Sequence, residues 1–150
     1  MKSLLALVAA AFFSCSSWAG LGGPPAKLQA HAIKEASSRV STAAGSYTVM
    51  QKELDSGTTV RQYLDGAGIV FAVSWSGPFL PDLKEILGVH FDAMVAQAGK
   101  RRNDQRSRLA LRRSDVVIDS AGRMGAFEGR AWVPAKVPAG FDVNAGTWPS

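Results

Sequence analysis

The residues best suited to chemistry in this chain lie between Lys100 and Arg113. Lys100, Arg101, Arg102, Arg106, Arg108, Arg112 and Arg113 put seven cations against a single acid, Asp104. Such a cluster can grip phosphates, either of nucleic acid or of the anionic headgroups of envelope lipid and lipopolysaccharide. Wound as a helix, the segment would bring Arg101, Arg108 and Arg112 near one another, and likewise Arg102, Arg106 and Arg113. No aromatic residue interleaves with these cations, which argues against base stacking and so against nucleic acid. The bland reading is a solvated connection between two elements.

Other candidates are thinner. His90 could act as a general base with a carboxylate such as Asp92 or Asp119, but it falls inside an apolar series, where a packed imidazole with one hydrogen bond is the commoner outcome. His31 is expected to be exposed. Two histidines without ligand spacing, and a single cysteine, argue against a transition-metal site, so no metal and no cofactor are expected. Ser74-Trp75-Ser76-Gly77 resembles the end of a nucleophile elbow, yet Ala72 stands where its first glycine belongs. Asp82 and Glu85, three apart, are more simply placed in the first turn of a helix than in an acid pair. No catalytic residue is assigned.

The elements that must position these groups can be read from periodicity. Ala26 to Val40, alanine-rich with interspersed charge, reads as an N-terminal helix of loose apolar face. Tyr47–Leu54 and Thr58–Leu64 flank the turn Asp55-Ser56-Gly57. A further turn at Asp65–Gly68 leads to Ile69–Trp75, so these three form an antiparallel meander. In the third strand Ile69, Phe71, Val73 and Trp75 are expected on one face at period two. Pro81 opens an amphipathic helix that ends before Gly99, whose one broad apolar face is expected to draw on Leu83, Ile86, Leu87, Val89, His90, Phe91, Met94 and Val95. Phe79 and Leu80 before it are expected to cap the core. Asp115–Asp119 and Met124–Val133 read as two more strands turning at Ser120-Ala121-Gly122. The expected fold is thus α+β: an antiparallel sheet of about five strands with one main amphipathic helix and a weaker N-terminal helix.

The start of the chain carries an address. Met1-Lys2-Ser3 is basic, Leu4 to Phe13 is an unbroken apolar run of ten, and Ser17-Trp18-Ala19 offers small residues for a cut after Ala19. That is the pattern of a secretory signal peptide, and ten apolar residues are too few to span a bilayer. Cys15 opens a lesser alternative, a lipoprotein anchor, but Phe12 stands where such signals carry an aliphatic. Cleavage after Ala19 removes the only cysteine and leaves 131 residues, one domain's worth, with no disulfide. The formal charge of +5 falls to +4, and outside the basic segment the remainder carries nine basic and eleven acidic residues. The basic character therefore belongs to one stretch.

Tyr47-Thr48-Val49, Ser56-Gly57-Thr58, Val60-Arg61-Gln62-Tyr63 and Val70-Phe71-Ala72-Val73 form a recognisable set with Trp75, Gly77-Pro78, Pro81-Asp82-Leu83, Leu87-Gly88 and Phe91. Together with Gly129–Pro134 and Val137–Gly140, they resemble the domain-of-unknown-function family 2844, short exported proteins of proteobacteria. The resemblance covers nearly all of the chain after the leader. It implies export and a single domain, and implies no activity, cofactor or catalytic residue.

The expected organisation is a signal peptide at 1–19, a flexible linker at 20–25, one domain at 26–134 and an irregular tail at 135–150. The expected function is a non-catalytic periplasmic or secreted module. It would bind anionic envelope lipid through Lys100, Arg101, Arg102, Arg106, Arg108, Arg112 and Arg113, or else a partner protein, for which Phe79 and Leu80 are the candidate anchors. The alternative is a small periplasmic hydrolase using His90.

Overall fold

The computed structural model describes residues 19–28, 32–100, 107–146 and 148–149. Residues 1–18 of the expected signal peptide at 1–19, His31, and Arg101, Arg102 and Arg106 lie outside the described residues.

Among the described residues seven antiparallel strands form one sheet: β1 Ala32–Thr42, β2 Gly45–Leu54, β3 Thr59–Leu64, β4 Val70–Gly77, β5 Arg108–Arg112, β6 Val117–Arg123 and β7 Ala126–Trp132. Their spatial order is β1-β2-β3-β4-β7-β6-β5, two meanders joined where β4 meets β7. The only long helical stretch among the described residues lies between β4 and β5: α1 Leu83–Leu87, a 3₁₀ turn Gly88–His90 and α2 Phe91–Gly99. This overturns the expected five-stranded α+β arrangement with two helices.

The N-terminal helix is instead β1, paired with β2 from Ala32↔Leu54 to Thr42↔Gly45. Its second half, Ser37-Ser38-Arg39-Val40-Ser41-Thr42, is weak in helix propensity, and β2 supplies the ladder it needs. The C-terminal half of the basic segment is also a strand. Leu109 and Leu111 are buried between exposed Arg108, Ala110 and Arg112, an alternation of period two that the density of charge masked. The last hairpin turns at Met124-Gly125 and not at Ser120–Gly122, because β6 and β7 stay in register as far as Arg123↔Ala126. Gly125 supplies the positive φ of that two-residue turn.

Each face of the sheet has its own core. On one side Val60, Val73, Trp75, Leu109, Leu111, Ile118 and Ala131 pack against Leu83, Ile86, Leu87 and Met94 of the helical stretch. On the other Tyr47, Val49, Tyr63, Phe71, Ala72, Val117 and Trp132 pack against Phe141 and Trp148 of the C-terminal tail. The period-two expectation for β4 fails at Phe71. The register shifts between Tyr63↔Ala72 and Leu64↔Val70, and this bulge turns Phe71 to the face opposite Val73 and Trp75. Both faces of β4 are consequently filled.

Asp82 caps α1, accepting hydrogen bonds from the Lys84 and Glu85 backbone N–H groups at 3.0 and 3.1 Å. Gly88, at φ +55°, ends it, with the Ala19 carbonyl lying where a side chain would stand. Phe79 and Leu80, expected to cap the core, are instead 62% and 50% exposed.

Residues 20–25, expected as a flexible linker, are bonded into the domain. Leu21 N–H donates to the Ile86 carbonyl at 2.9 Å, and Gly22 N–H and Gly23 C=O bond the Val70 backbone at 2.8 and 2.9 Å. Leu21 is buried. The strap continues with Ala26, whose N–H and C=O are both taken by the buried Gln62 amide at 2.7 and 3.0 Å. Lys52, buried, donates to the Lys27 carbonyl.

Candidate functional site

On the tail-bearing face, strand register places side chains in transverse rows. One row runs Tyr63, Ala72, Trp132, Val117, Arg112 from β3 to β5. The next runs Arg61, Ser74, Arg130, Asp119, Ala110, and a third Thr59, Ser76, Glu128, Ala121, Arg108. The tail covers the aromatic part of the first row. Beyond it a cavity of about 790 Å³ is lined by Arg61, Ser74, Arg108, Arg112, Asp119, Glu128, Arg130 and Trp148, among others. Four guanidiniums against two carboxylates leave this groove net positive.

The arginines are held to different degrees. Arg130 is wedged between two indoles, 5.9 Å from the Trp132 ring centre and 5.6 Å from that of Trp148. It also donates to the Ala145 carbonyl at 2.8 Å. This stacking ties the tail to the sheet as well as holding the cation. Arg112 pairs with Asp119 at 3.0 Å and lies 5.9 Å from the Trp132 ring centre. Arg61 is oriented through its Nε, which donates to Gln51 Oε1 at 2.8 Å. Neither Arg61 nor Arg108 pairs with a carboxylate of the described residues. These two are therefore the cations most able to meet an incoming anion.

A second cavity of about 810 Å³ adjoins the first, sharing Ser76, Arg108, Ala121 and Glu128, and adds Pro78, Arg123, Gly125 and Phe127. Beside its lining residues stand Phe79, next to Pro78, and Met124, next to Gly125. Met124 is 97% exposed. The cationic groove thus ends beside exposed apolar side chains.

Of the cations expected to bind, the structure brings Arg108 and Arg112 together in the groove. Lys100 is exposed at the end of α2. Arg113 turns elsewhere, its Nε donating to Asp115 Oδ1 at 3.0 Å. Arg61 and Arg130 were missed, because they are separated in sequence from the basic segment and meet it only through strand order. Their positions at period two beside Tyr63 and Trp132 were the available signal. Trp148, which had no evident structural role in the sequence, is buried and edge-on to Tyr63, Trp132 and Phe141 at 5.1–5.8 Å.

His90 sits apart from this groove, its side chain 13% exposed and its Nδ1 3.9 Å from Asp115 Oδ2. The carboxylate beside it is thus neither Asp92 nor Asp119. Burial pushes the imidazole pKa below its ordinary 6.5; Asp115 pulls it up and Arg113 pushes it down, and burial prevails. The imidazole lines neither cavity. Among the described residues no group of three or more His, Cys, Asp or Glu could hold a metal ion, and no helix is long and apolar enough to cross a membrane.

Fold and groove together define a two-faced antiparallel-sheet domain with one face closed by helix and the other part-closed by its own tail. The chain belongs to the family described as Protein of unknown function (DUF2844), whose model matches residues 17–145. No curated protein and no solved structure matches it.

Proposed function

We propose that this is an exported, periplasmic or secreted, non-catalytic module that binds the phosphate-bearing headgroups of anionic envelope lipid in its arginine-lined groove. The observation that carries the reading is the convergence of Arg61, Arg108, Arg112 and Arg130, from three separate strands, on one cavity. Guanidiniums suit phosphate because their paired N–H groups match its oxygens. The neighbouring exposed Phe79 and Met124 favour a lipid surface over a soluble anion, since apolar side chains beside a basic patch can enter the headgroup boundary. Export rests on the leader pattern at 1–19. A cut after Ala19 would keep every strap contact described from Gly20 onward.

Cosedimentation with vesicles tests this. Wild-type protein should bind phosphatidylglycerol–phosphatidylcholine vesicles and release them as salt rises, and should bind phosphatidylcholine alone weakly. Replacing Arg61 and Arg108 with serine spares the Arg112–Asp119 and Arg130–tryptophan contacts. At about 1 kcal/mol per juxtamembrane cation, it should weaken binding roughly tenfold or more. Equal binding to both vesicle types, or full retention by the double variant, would contradict the proposal.

A further inference from the structure

β1 is the outermost strand of the sheet and its residues are almost all exposed, so its outer edge carries backbone N–H and C=O groups with no strand beside them among the described residues. At eleven residues it is long for an edge, and such an edge is a template for another strand. We infer that this edge pairs with β1 of a second copy of the chain, antiparallel and centred on Ser37, so that the sheets of two protomers join into one.

The register follows from alternation and charge. Thr42 and Gly45 close the two-residue loop Ala43-Ala44, and the closing pair of such a hairpin exchanges its hydrogen bonds inward. Hydrogen-bonded pairs then alternate back along β1, at Thr42, Val40, Ser38 and Ala36. The intervening residues Ser41, Arg39, Ser37 and Glu35 direct their backbone groups outward. A two-fold axis at Ser37 sets outward residue against outward residue, Ser37 opposite Ser37 and Glu35 opposite Arg39, while Ser41 faces the bulge at Ile33.

Charge, not overlap, selects this register, since the bulge between Ala32 and Lys34 leaves 34–40 regularly paired here and 34–42 after a shift of two residues toward the hairpin. It is the register that faces Glu35 with the partner's Arg39, twice by symmetry. Shifted registers oppose each of those charges to serine or isoleucine. Directly opposed opposite charges favour a strand pair, and like charges disfavour it. Glu35 is half exposed and lies 3.8 Å from Lys52 Nζ, so the arriving guanidinium would complete a row Lys52–Glu35–Arg39 across the junction. About six backbone hydrogen bonds would form along the regular part of the ladder. The groove on β3–β7–β5 lies away from this edge, so each protomer would present its own groove on the shared sheet.

Sedimentation equilibrium on purified protein from the full-length coding sequence should show a concentration-dependent dimer. Arg39→Glu places like charges opposite each other and should raise the dimer dissociation constant roughly tenfold or more. Ser37→Pro removes an outward N–H and should abolish the dimer; a far-UV circular dichroism spectrum matching wild type would confirm that the fold is kept. In a Cys15→Ser background, Ser37→Cys should crosslink on oxidation, because opposed α-carbons lie about 5.5 Å apart, within disulfide reach. Ser41→Cys should not, since it faces Ile33. A monomer up to millimolar concentration overturns the inference. So does a dimer unaffected by Arg39→Glu, or equal crosslinking at positions 37 and 41.

Discussion

Trp75 and Gly129 face each other across the β4–β7 pair, and the indole lies where a side chain on Gly129 would stand. The glycine is thus kept by close approach. Gly129→Ala must push the indole out of a filled core and should cost about 1–3 kcal/mol, read as a lower midpoint in urea. His90 sets a pH dependence. Its pKa is lowered on folding, so the unfolded chain binds the proton more readily. Stability from this group is full above the ordinary 6.5 and is lost as pH falls below it toward the folded value. Wild type should therefore lose melting temperature on acidification below about pH 6.5, and His90→Gln should lose less. An identical pH profile for both would remove His90 from the explanation. Tyr63, buried, donates its hydroxyl to the Pro149 carbonyl at 2.9 Å. Tyr63→Phe keeps the ring packing but frees the end of the tail, at about 1 kcal/mol, and increased proteolysis after residue 134 would report it.

At the scale of elements, the central meander and the amphipathic helix were legible because their signals are local. Tyr47–Leu54, Thr58–Leu64 and Ile69–Trp75 match β2, β3 and β4 to within two residues, and Pro81-Asp82 announces a capped helix. What was hidden depends on partners distant in sequence. β1 has no apolar face of its own and is a strand because β2 lies beside it. The bulge at Phe71 arises in the pairing with β3 and sends this side chain to the tail-bearing face, which single-strand periodicity does not encode. The groove was half legible. Arg108 and Arg112 stand in the conspicuous basic run, while Arg61 and Arg130 join them through the order β3-β4-β7-β6-β5. The strap was hidden behind Gly-Gly-Pro-Pro, a composition that signals a loop but says nothing of whether the loop is held. Gln62 holds it. Gln62→Leu orphans the Ala26 N–H and C=O and should cost about 2 kcal/mol or more, with faster amide exchange at residues 20–28 as the readout.

At the scale of the whole molecule, the sheet separates two tasks. One face is closed by the strap and helix and supplies stability; the other is closed only in part, by a tail that reaches Arg130 and lines one side of the groove. Arg130 links the two, since the indoles that clamp it also anchor the tail. Ligand binding beside Arg130 should accordingly be felt at Trp132 and Trp148. The most direct measurement is a nuclear magnetic resonance titration with a short-chain phosphatidylglycerol kept below its micelle concentration. The groove predicts saturable shifts at the Trp132 and Trp148 indole N–H signals and at the side-chain Nε–H of Arg61 and Arg130, diminished by added salt. No shift at any of them, or shifts confined to the helix-covered face, would contradict anion binding in the groove.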